Sequence, residues 1–240
     1  MQIAADMHTH TIASTHAYST ILENSVSARD IGLKALAITD HAPKMSDSPH
    51  IWHFDGLGSI PRVLNDVVIV RGVEANIIDF NGNIDVPEST LNLLEWVIAS
   101  MHGPCITPST IEENTKGYIE ICKNSVVDVL GHPTTNEYPW DYEKGLKFVK
   151  EYDKIIEINE SSIKIREGAL ENTVRMVKLC KRLEIPLIVD TDSHFCQRIG
   201  KTPIAIKLLE ELAYPKELIV NLEWENLKQM ILKKHPNALK

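Results

Sequence analysis

Short apolar runs, rich in β-branched residues, alternate along the chain with segments whose apolar positions have helical spacing. The runs are nearly continuous in apolar residues, which is typical of parallel strands buried on both faces. Seven strands are predicted, at 3–5, 35–39, 67–73, 95–100, 126–131, 154–158 and 186–189. Helices are predicted at about 25–32, 109–123, 142–151, 171–183, 204–212 and 224–233, and Asn81-Gly82 predicts a small hairpin. This order predicts an α/β barrel.

The bulk properties narrow the class of protein. No repeat and no Gly- or Ser-rich linker divides the 240 residues, so a single domain over 1–240 is predicted, a length that suits an α/β barrel. The net charge of −8 argues against a nucleic-acid-binding surface, which needs clustered Lys and Arg. No apolar run approaches a membrane span, and Asp6 and His8 interrupt any signal peptide. The four cysteines lack disulfide or metal spacing, so free thiols in the cytoplasm are expected.

Residue types that bind metals recur at the carboxyl ends of the predicted strands. These residues are His8, His10, His41, Glu74, His102, His132, Asp192 and His194, with His16 in the first loop. Seven of the ten histidines belong to this set, which scattered core or surface histidines would not do. In α/β barrels the loops after the strands converge at that end, and imidazole with carboxylate suits a divalent transition metal. A metal site is therefore predicted there.

Several motifs resemble one known family. Asp6-x-His8-x-His10, Thr39-Asp40-His41, Glu74 and Asp192-Ser193-His194 are similar to the PHP (polymerase and histidinol phosphatase) family. Stretches 13–19, 50–54 and 72–76 resemble its YcdX-type phosphatases, and the resemblance covers nearly the whole chain. It implies a distorted (β/α)7 barrel. Glu160 stands where a neutral amide is expected, so we expect it to alter the charge of the pocket.

The resemblance also implies three metal ions, expected to be zinc, with manganese or iron as alternatives. It assigns His8, His10, Glu74 and Asp192 to the first ion. It assigns Glu74, His102 and His132 to the second, which makes Glu74 a bridge, and His16, His41 and His194 to the third. Asp40 is adjacent to a ligand and is expected to orient a histidine.

A site of this kind predicts phosphomonoester hydrolysis. Three divalent cations outweigh two carboxylates and a bridging hydroxide, so the site favours a phosphate dianion, which the hydroxide would attack. Asp192 is predicted to take or relay the proton, and His194 to assist the leaving oxygen. Arg166 is predicted to hold phosphate, since a guanidinium matches its oxygens and the PHP phosphatases place an arginine in a similar loop; Arg198 is the rival.

Three other functions stay open at this point. A phosphodiesterase or nuclease would use the same cluster, although the acidic chain counts against polynucleotides. An amidohydrolase usually needs a lysine as the bridge, a place that Glu74 takes here. A non-catalytic metal-binding module is the third, and the complete ligand set argues against it. The partner expected is a small phosphorylated substrate, and the resemblance implies a homotrimer.

Overall fold

The alternation of strands and helices is present over residues 1–239, which the computed structural model describes. The strands are β1 (Ala5–Asp6), β2 (Ala35–Ile38), β3 (Val63–Leu64), β4 (Val67–Asn76), β5 (Trp96–Ser100), β6 (Val129–Leu130), β7 (Ile155–Asn159) and β8 (Leu187–Asp190). The helices are α1 (Ile21–Asp30), α2 (Trp52–Asp55), α3 (Glu88–Leu91), α4 (Ile111–Lys123), α5 (Tyr142–Glu151), α6 (Glu160–Ile165), α7 (Ala169–Leu183), α8 (Pro203–Glu211) and α9 (Trp224–Lys234).

Seven parallel strands form the wall of a barrel. They pair in the order β1-β2-β4-β5-β6-β7-β8, and β3 pairs antiparallel with the start of β4. A parallel bridge between Thr9 and Ser193 joins the two ends of this order, with the His10 amide donating to the Ser193 carbonyl at 2.9 Å. The predicted distorted (β/α)7 barrel is therefore confirmed.

Alternate residues of the strands face two apolar layers. In β5, Val97 and Ala99 pack with the outer helices, whereas Trp96 and Ile98 belong to a smaller inner cluster. Leu227 and Ile231 of α9 join that inner cluster. Helix α9 therefore closes the amino-terminal end of the barrel, opposite the end where the loops after the strands meet.

Local signals explain where the predicted boundaries differ from the observed ones. Helix α1 begins at Ile21 because Thr20 and Glu23 form a capping box, which the apolar spacing did not reveal. The predicted hairpin is present as a tight turn in which Ile77 and Ile84 form an antiparallel bridge. Gly82 has φ +85° in that turn, and an added Cβ would lie 2.7 Å from the Glu120 carbonyl oxygen.

Two further predictions concern the state of the cysteines and the presence of membrane-spanning helices. The cysteines are all free, and three of them are buried. None of the helices within residues 1–239 is long and apolar enough to cross a membrane. The long loop at 42–62, which had no predicted structure, contains α2 and a 3-10 turn at Gly56–Ser59.

Candidate metal centre

The predicted ligands meet at the carboxyl end of the barrel. The ring centroids of His10 and His41 lie 4.4 Å apart, those of His10 and His194 4.3 Å, and those of His102 and His132 5.2 Å. Most of these side chains are buried; His194 is partly exposed, and His16 is 52% exposed. The fold therefore brings together all nine residues: His8, His10, His16, His41, Glu74, His102, His132, Asp192 and His194.

Glu74 lies in the middle and has a different set of neighbours at each oxygen. Its Oε1 lies 2.9 Å from His132 Nε2 and 3.3 Å from His102 Nε2. Its Oε2 lies 2.8 Å from His41 Nδ1, 3.4 Å from His8 Nε2 and 3.6 Å from His10 Nε2. One carboxylate can therefore serve two ions, one on each side.

Asp192 approaches the cluster from the end of β8. Its Oδ1 lies 3.1 Å from His10 Nε2 and 3.7 Å from His8 Nε2, and its Oδ2 accepts a hydrogen bond from the Asn159 amide at 3.2 Å. Asp192 has φ +52°, and His132 has φ +29°. A positive φ in non-glycine residues is a strained conformation that functional sites often hold.

A third group of ligands lies toward solvent. The His16 ring lies against the rings of His194 and His41, with ring centroids 4.3 Å and 5.3 Å apart. Donor atoms of His10, His41 and His194 lie within 4.8 Å of one another, and so do donor atoms of His16, His41 and Asp47. His41 therefore connects the outer ligands to the Glu74 cluster.

The donor atoms fit metal ions because many of them have no other partner. Among residues 1–239, hydrogen-bond partners are missing for the buried atoms His8 Nε2, His10 Nδ1, His41 Nδ1, Glu74 Oε2 and His194 Nε2. His41 Nδ1 and Glu74 Oε2 are 2.8 Å apart without the geometry of a hydrogen bond. Buried polar groups are almost always satisfied, so lone pairs converging in this way indicate cation ligands.

Three supporting side chains were missed by the sequence reasoning. Glu157 Oε1 lies 2.6 Å from His8 Nδ1, and Glu157 Oε2 accepts from the His132 amide at 2.6 Å. Asn76 Oδ1 lies 2.7 Å from His102 Nδ1, and Asp47 Oδ2 lies 2.7 Å from His16 Nδ1. Such contacts fix the ring and leave the other nitrogen for a metal. Glu157 was detectable, because it lies two residues before Asn159 on the same side of the strand.

Asp40 does contact a histidine, as expected, but that residue is His53 and not a predicted ligand. His53 Nε2 lies 3.1 Å from Asp40 Oδ2. The same carboxylate accepts from the Thr11 amide and hydroxyl and from the Ser14 hydroxyl. Asp40 thus fixes the first loop, in which His16 lies, and attaches the 42–62 loop to it.

Burial and charge act in opposite directions on the ionisable groups. Burial raises the pKa of Glu74, but His8, His102 and His41 outweigh it and leave that pKa well below its usual value. Burial likewise raises the pKa of Asp192, and His8 and His10 reverse the shift. Burial, with His41, lowers the pKa of His10 to about 3. The carboxylates and His10 are thus in the forms that bind metal. Burial also lowers the pKa of His8 and of His41, but Glu157 and Glu74 outweigh it at His8 and Glu74 outweighs it at His41, so both pKa values are raised and metal binding would displace protons from these two rings.

A cavity of about 470 Å³ adjoins the cluster at His102. Its wall includes Arg166, Glu137 and Glu167, together with apolar Met45 and Met101. Arg166 Nη1 lies 3.3 Å from His132 Nδ1, which places the guanidinium at the edge of the metal ligands. The rival, Arg198, is exposed on a 3-10 turn and is not part of this wall.

The expectation for Glu160 is wrong. Its carboxylate accepts hydrogen bonds from the amides of Ile204 and Ala205, at the start of α8. Glu160 therefore caps a helix and does not line the cavity beside the metal ligands.

Comparison with known proteins gives the family. A probable phosphatase of Clostridium novyi is 44% identical over 95% of this chain and 93% of its own length. One of Vibrio parahaemolyticus is 44% identical over 98% of this chain and 96% of its own length. The chain belongs to this family of phosphatases. A search of family models found no match.

Among solved structures, a histidinol phosphate phosphatase of Lactococcus lactis, complexed with zinc, L-histidinol and phosphate, is similar with a TM-score of 0.60. It is 17% identical, and the match covers 88% of this chain and 94% of that one, so the likeness shows the fold. The phosphatase relatives and this neighbour agree with the PHP resemblance.

Proposed function

We propose that this phosphatase is of the YcdX type and hydrolyses small phosphomonoesters at a site for three divalent ions. Zinc is the expected metal for all three, with manganese and iron as alternatives. His8, His10, Glu74 and Asp192 would hold the first ion. Glu74, His102 and His132 would hold the second, and His16, His41 and His194 the third. Residues 1–240 would act as one domain.

The observation that carries this proposal is the two-sided position of Glu74. One oxygen has His102 and His132 within 3.3 Å, and the other has His41, His8 and His10 within 3.6 Å. A buried carboxylate with imidazoles on both sides is the arrangement that a pair of ions needs. A structural role would instead give both oxygens hydrogen-bond donors, as buried carboxylates require.

The ions, when bound, would supply positive charge for the phosphoryl oxygens and would lower the pKa of a water. The protein groups then have separate tasks. Asp192 would take or relay a proton; it is ionised at neutral pH, because His8 and His10 hold its pKa down against burial. Burial lowers the pKa of His194. Its neutral form can therefore bind an ion next to the leaving oxygen.

Arg166 would bind the phosphoryl group. Its Nη1 lies 3.3 Å from His132 Nδ1, so in this arrangement it donates to that nitrogen. An imidazole that binds an ion through Nε2 carries its proton on Nδ1 and no longer accepts a bond there. Loading the site would thus release the guanidinium for two phosphoryl oxygens, which its planar fork matches.

The cavity supports a small substrate. Its volume of about 470 Å³ lies within the usual range for small-molecule sites. Glu137 and Glu167 are exposed in its wall, and they would repel the further phosphates of a polynucleotide. A nuclease with the same metal ligands is therefore disfavoured.

The test is a screen of phosphorylated metabolites and p-nitrophenyl phosphate, with added zinc, manganese or iron and with chelator. Elemental analysis of the same preparation should give close to three ions per chain. Turnover that survives complete removal of metal, or a loaded protein with one ion, would contradict the trinuclear proposal. The trimer and the cytoplasmic location stay predictions; light scattering coupled to size-exclusion chromatography checks the first.

A further inference from the structure

A second cavity lies at the opposite end of the barrel, where α9 closes it. Its volume is about 560 Å³, and no predicted metal ligand belongs to its wall. The wall combines apolar and aromatic side chains, including Trp96, Tyr152 and Met230, with the ammonium groups of Lys154 and Lys234. The phosphatase function proposed above makes no use of it.

The polar groups of this wall have hydrogen-bond donors to spare. Lys154, although buried, donates to the carbonyls of Asn124 at 2.8 Å and Val127 at 2.6 Å. Lys234 donates to a carbonyl and to the carboxylate of Asp128. An ammonium has three N–H donors, so each lysine keeps one beyond these bonds.

The indole of Trp96, in the same wall, is a third polar group that is not fully satisfied. Trp96 is 2% exposed, and its N–H has no hydrogen-bond partner among residues 1–239. A buried indole N–H usually finds an acceptor, because leaving it without one costs about 1–3 kcal/mol. The cavity wall thus has two ammonium groups with one N–H each to spare, and an indole whose N–H has no acceptor.

The charges around the cavity also favour an anion. Burial and the neighbouring charge of Lys234 lower the pKa of Lys154 to about 8, against the opposing effect of Asp128 and Asp153. Lys123, which pairs with Glu120, and Lys233 lie on the same wall, so four ammonium groups stand against Glu120 and the two aspartates. An anion between the ammonium groups would reduce their repulsion. The patch is positive although the chain has a net charge of −8.

We propose that this cavity is a binding site for a small organic anion, a carboxylate with an apolar body. The carboxylate would accept from Lys154 and Lys234, with the Trp96 side chain in the same wall. The body would cover Tyr152 and Met230, which are 37% and 38% exposed and apolar over most of their surface. Such a site lies at the far end of the barrel from the metal centre, so occupancy of one leaves the other open.

The experiment uses the full, metal-loaded chain and benzoate as the probe. The indole ¹H–¹⁵N signals are followed by NMR, and Trp96→Phe identifies the signal of Trp96. We expect this signal to move and saturate with a Kd below about 1 mM. Lys234→Gln should weaken binding by about tenfold or more, the effect of losing one charge-assisted hydrogen bond. Arg166→Ala, which changes only the cavity beside the metals, should leave the Kd within about twofold.

Tyr152→Ala is a second variant, on the exposed wall, in case Lys234→Gln disturbs α9. It should weaken benzoate without changing the fold, since Tyr152 is partly exposed at a helix end. A Trp96 signal that stays still up to about 10 mM benzoate overturns the proposal. A Trp96 signal that responds to benzoate equally in Lys234→Gln and in the wild type also overturns it. Inorganic phosphate that binds at this signal as tightly as benzoate overturns the organic part of the proposal.

Discussion

Two buried glutamates, Glu74 and Glu95, lie at opposite ends of the same barrel and differ in their partners. Glu95 accepts two bonds from the Arg62 guanidinium, at 2.6 Å and 2.7 Å, and bonds from the amides of Arg71 and Leu239. Both of its oxygens are therefore satisfied. Glu74 has imidazole nitrogens on both sides, and its Oε2 has no hydrogen bond. The Glu95 carboxylate is thus fully satisfied by donors of the protein, whereas the Glu74 carboxylate has room for cations.

This difference separates groups that stabilise the fold from groups that serve the chemistry. A carboxylate with four donors contributes to stability, because removing it takes two acceptor oxygens away from the Arg62 guanidinium and two backbone amides. The Glu74 carboxylate is surrounded by imidazole nitrogens that would also bind the ions, so its removal changes the metal site first. The carboxyl end of the barrel, which holds Glu74, is its open end, and the amino-terminal end, which holds Glu95, is its closed end. We therefore expect substitutions at the open end to change activity and metal content above all, and those at the closed end to change stability.

The largest expected effect is that of Glu74→Gln. One carboxylate serves two ions, so its loss should reduce kcat/KM by about a thousandfold or more, close to 4 kcal/mol or above, and should lower the metal content with it. The free energy of unfolding of the metal-free protein should also fall, because His8, His102 and His41 hold the pKa of Glu74 well below its usual value and a neutral amide loses that interaction. Kinetics, elemental analysis and urea unfolding measure the three quantities. Near-normal turnover with full metal loading would show that the bridging assignment is wrong.

Arg166→Ala should have the next largest effect on activity while leaving the metals bound. Loss of the guanidinium should reduce kcat/KM by about 2–4 kcal/mol of transition-state stabilisation, and Arg166→Lys should restore part of it, since an ammonium cannot make the fork. Arg198→Ala is the matched control and should behave like the wild type. If Arg166→Ala stays within about threefold of wild type while Arg198→Ala does not, the phosphate contact belongs to Arg198.

Glu95→Gln should show the opposite behaviour. The free energy of unfolding should fall by about 2–3 kcal/mol, because a neutral amide loses the charge and one of the two acceptor oxygens that bind Arg62 and the two backbone amides, whereas metal content and kcat/KM should stay unchanged. Burial raises the pKa of Glu95, but Arg62 and the two amides leave it lowered. The ionised form is thus favoured in the folded state, so the stability gained is present above pH 4.5 and is lost as the pH falls toward the folded-state pKa. A wild-type-to-variant difference that does not shrink below pH 4.5 would contradict this account.

The open end could be predicted from the sequence to a large extent, and the closed end could not. His41, Glu74 and His102 follow apolar runs that only strands explain, and strand ends meet in a barrel. Asp47 lies in a loop without periodicity, and nothing near it in the sequence indicates its contact with His16. The contact between Glu95 and Arg62 could not be predicted either, since a charged residue before a strand is normally solvated. Glu160 was misjudged because its partners belong to α8, far along the chain.

Asp47 gives the smallest effect and the sharpest test of the open end. Its carboxylate fixes His16 through Nδ1 at 2.7 Å, so Asp47→Ala should weaken one ion of three by about 10–100-fold, whereas Asp47→Asn keeps an acceptor and should retain most of the affinity. Titration with a chelating competitor measures each ion, and Asp30→Ala, an exposed carboxylate paired with Arg29, is the control. Because His41 lies near both Asp47 and Glu74, a loss spread over two ions would show that Asp47 acts through His41 and that the outer ligands are not a separate site.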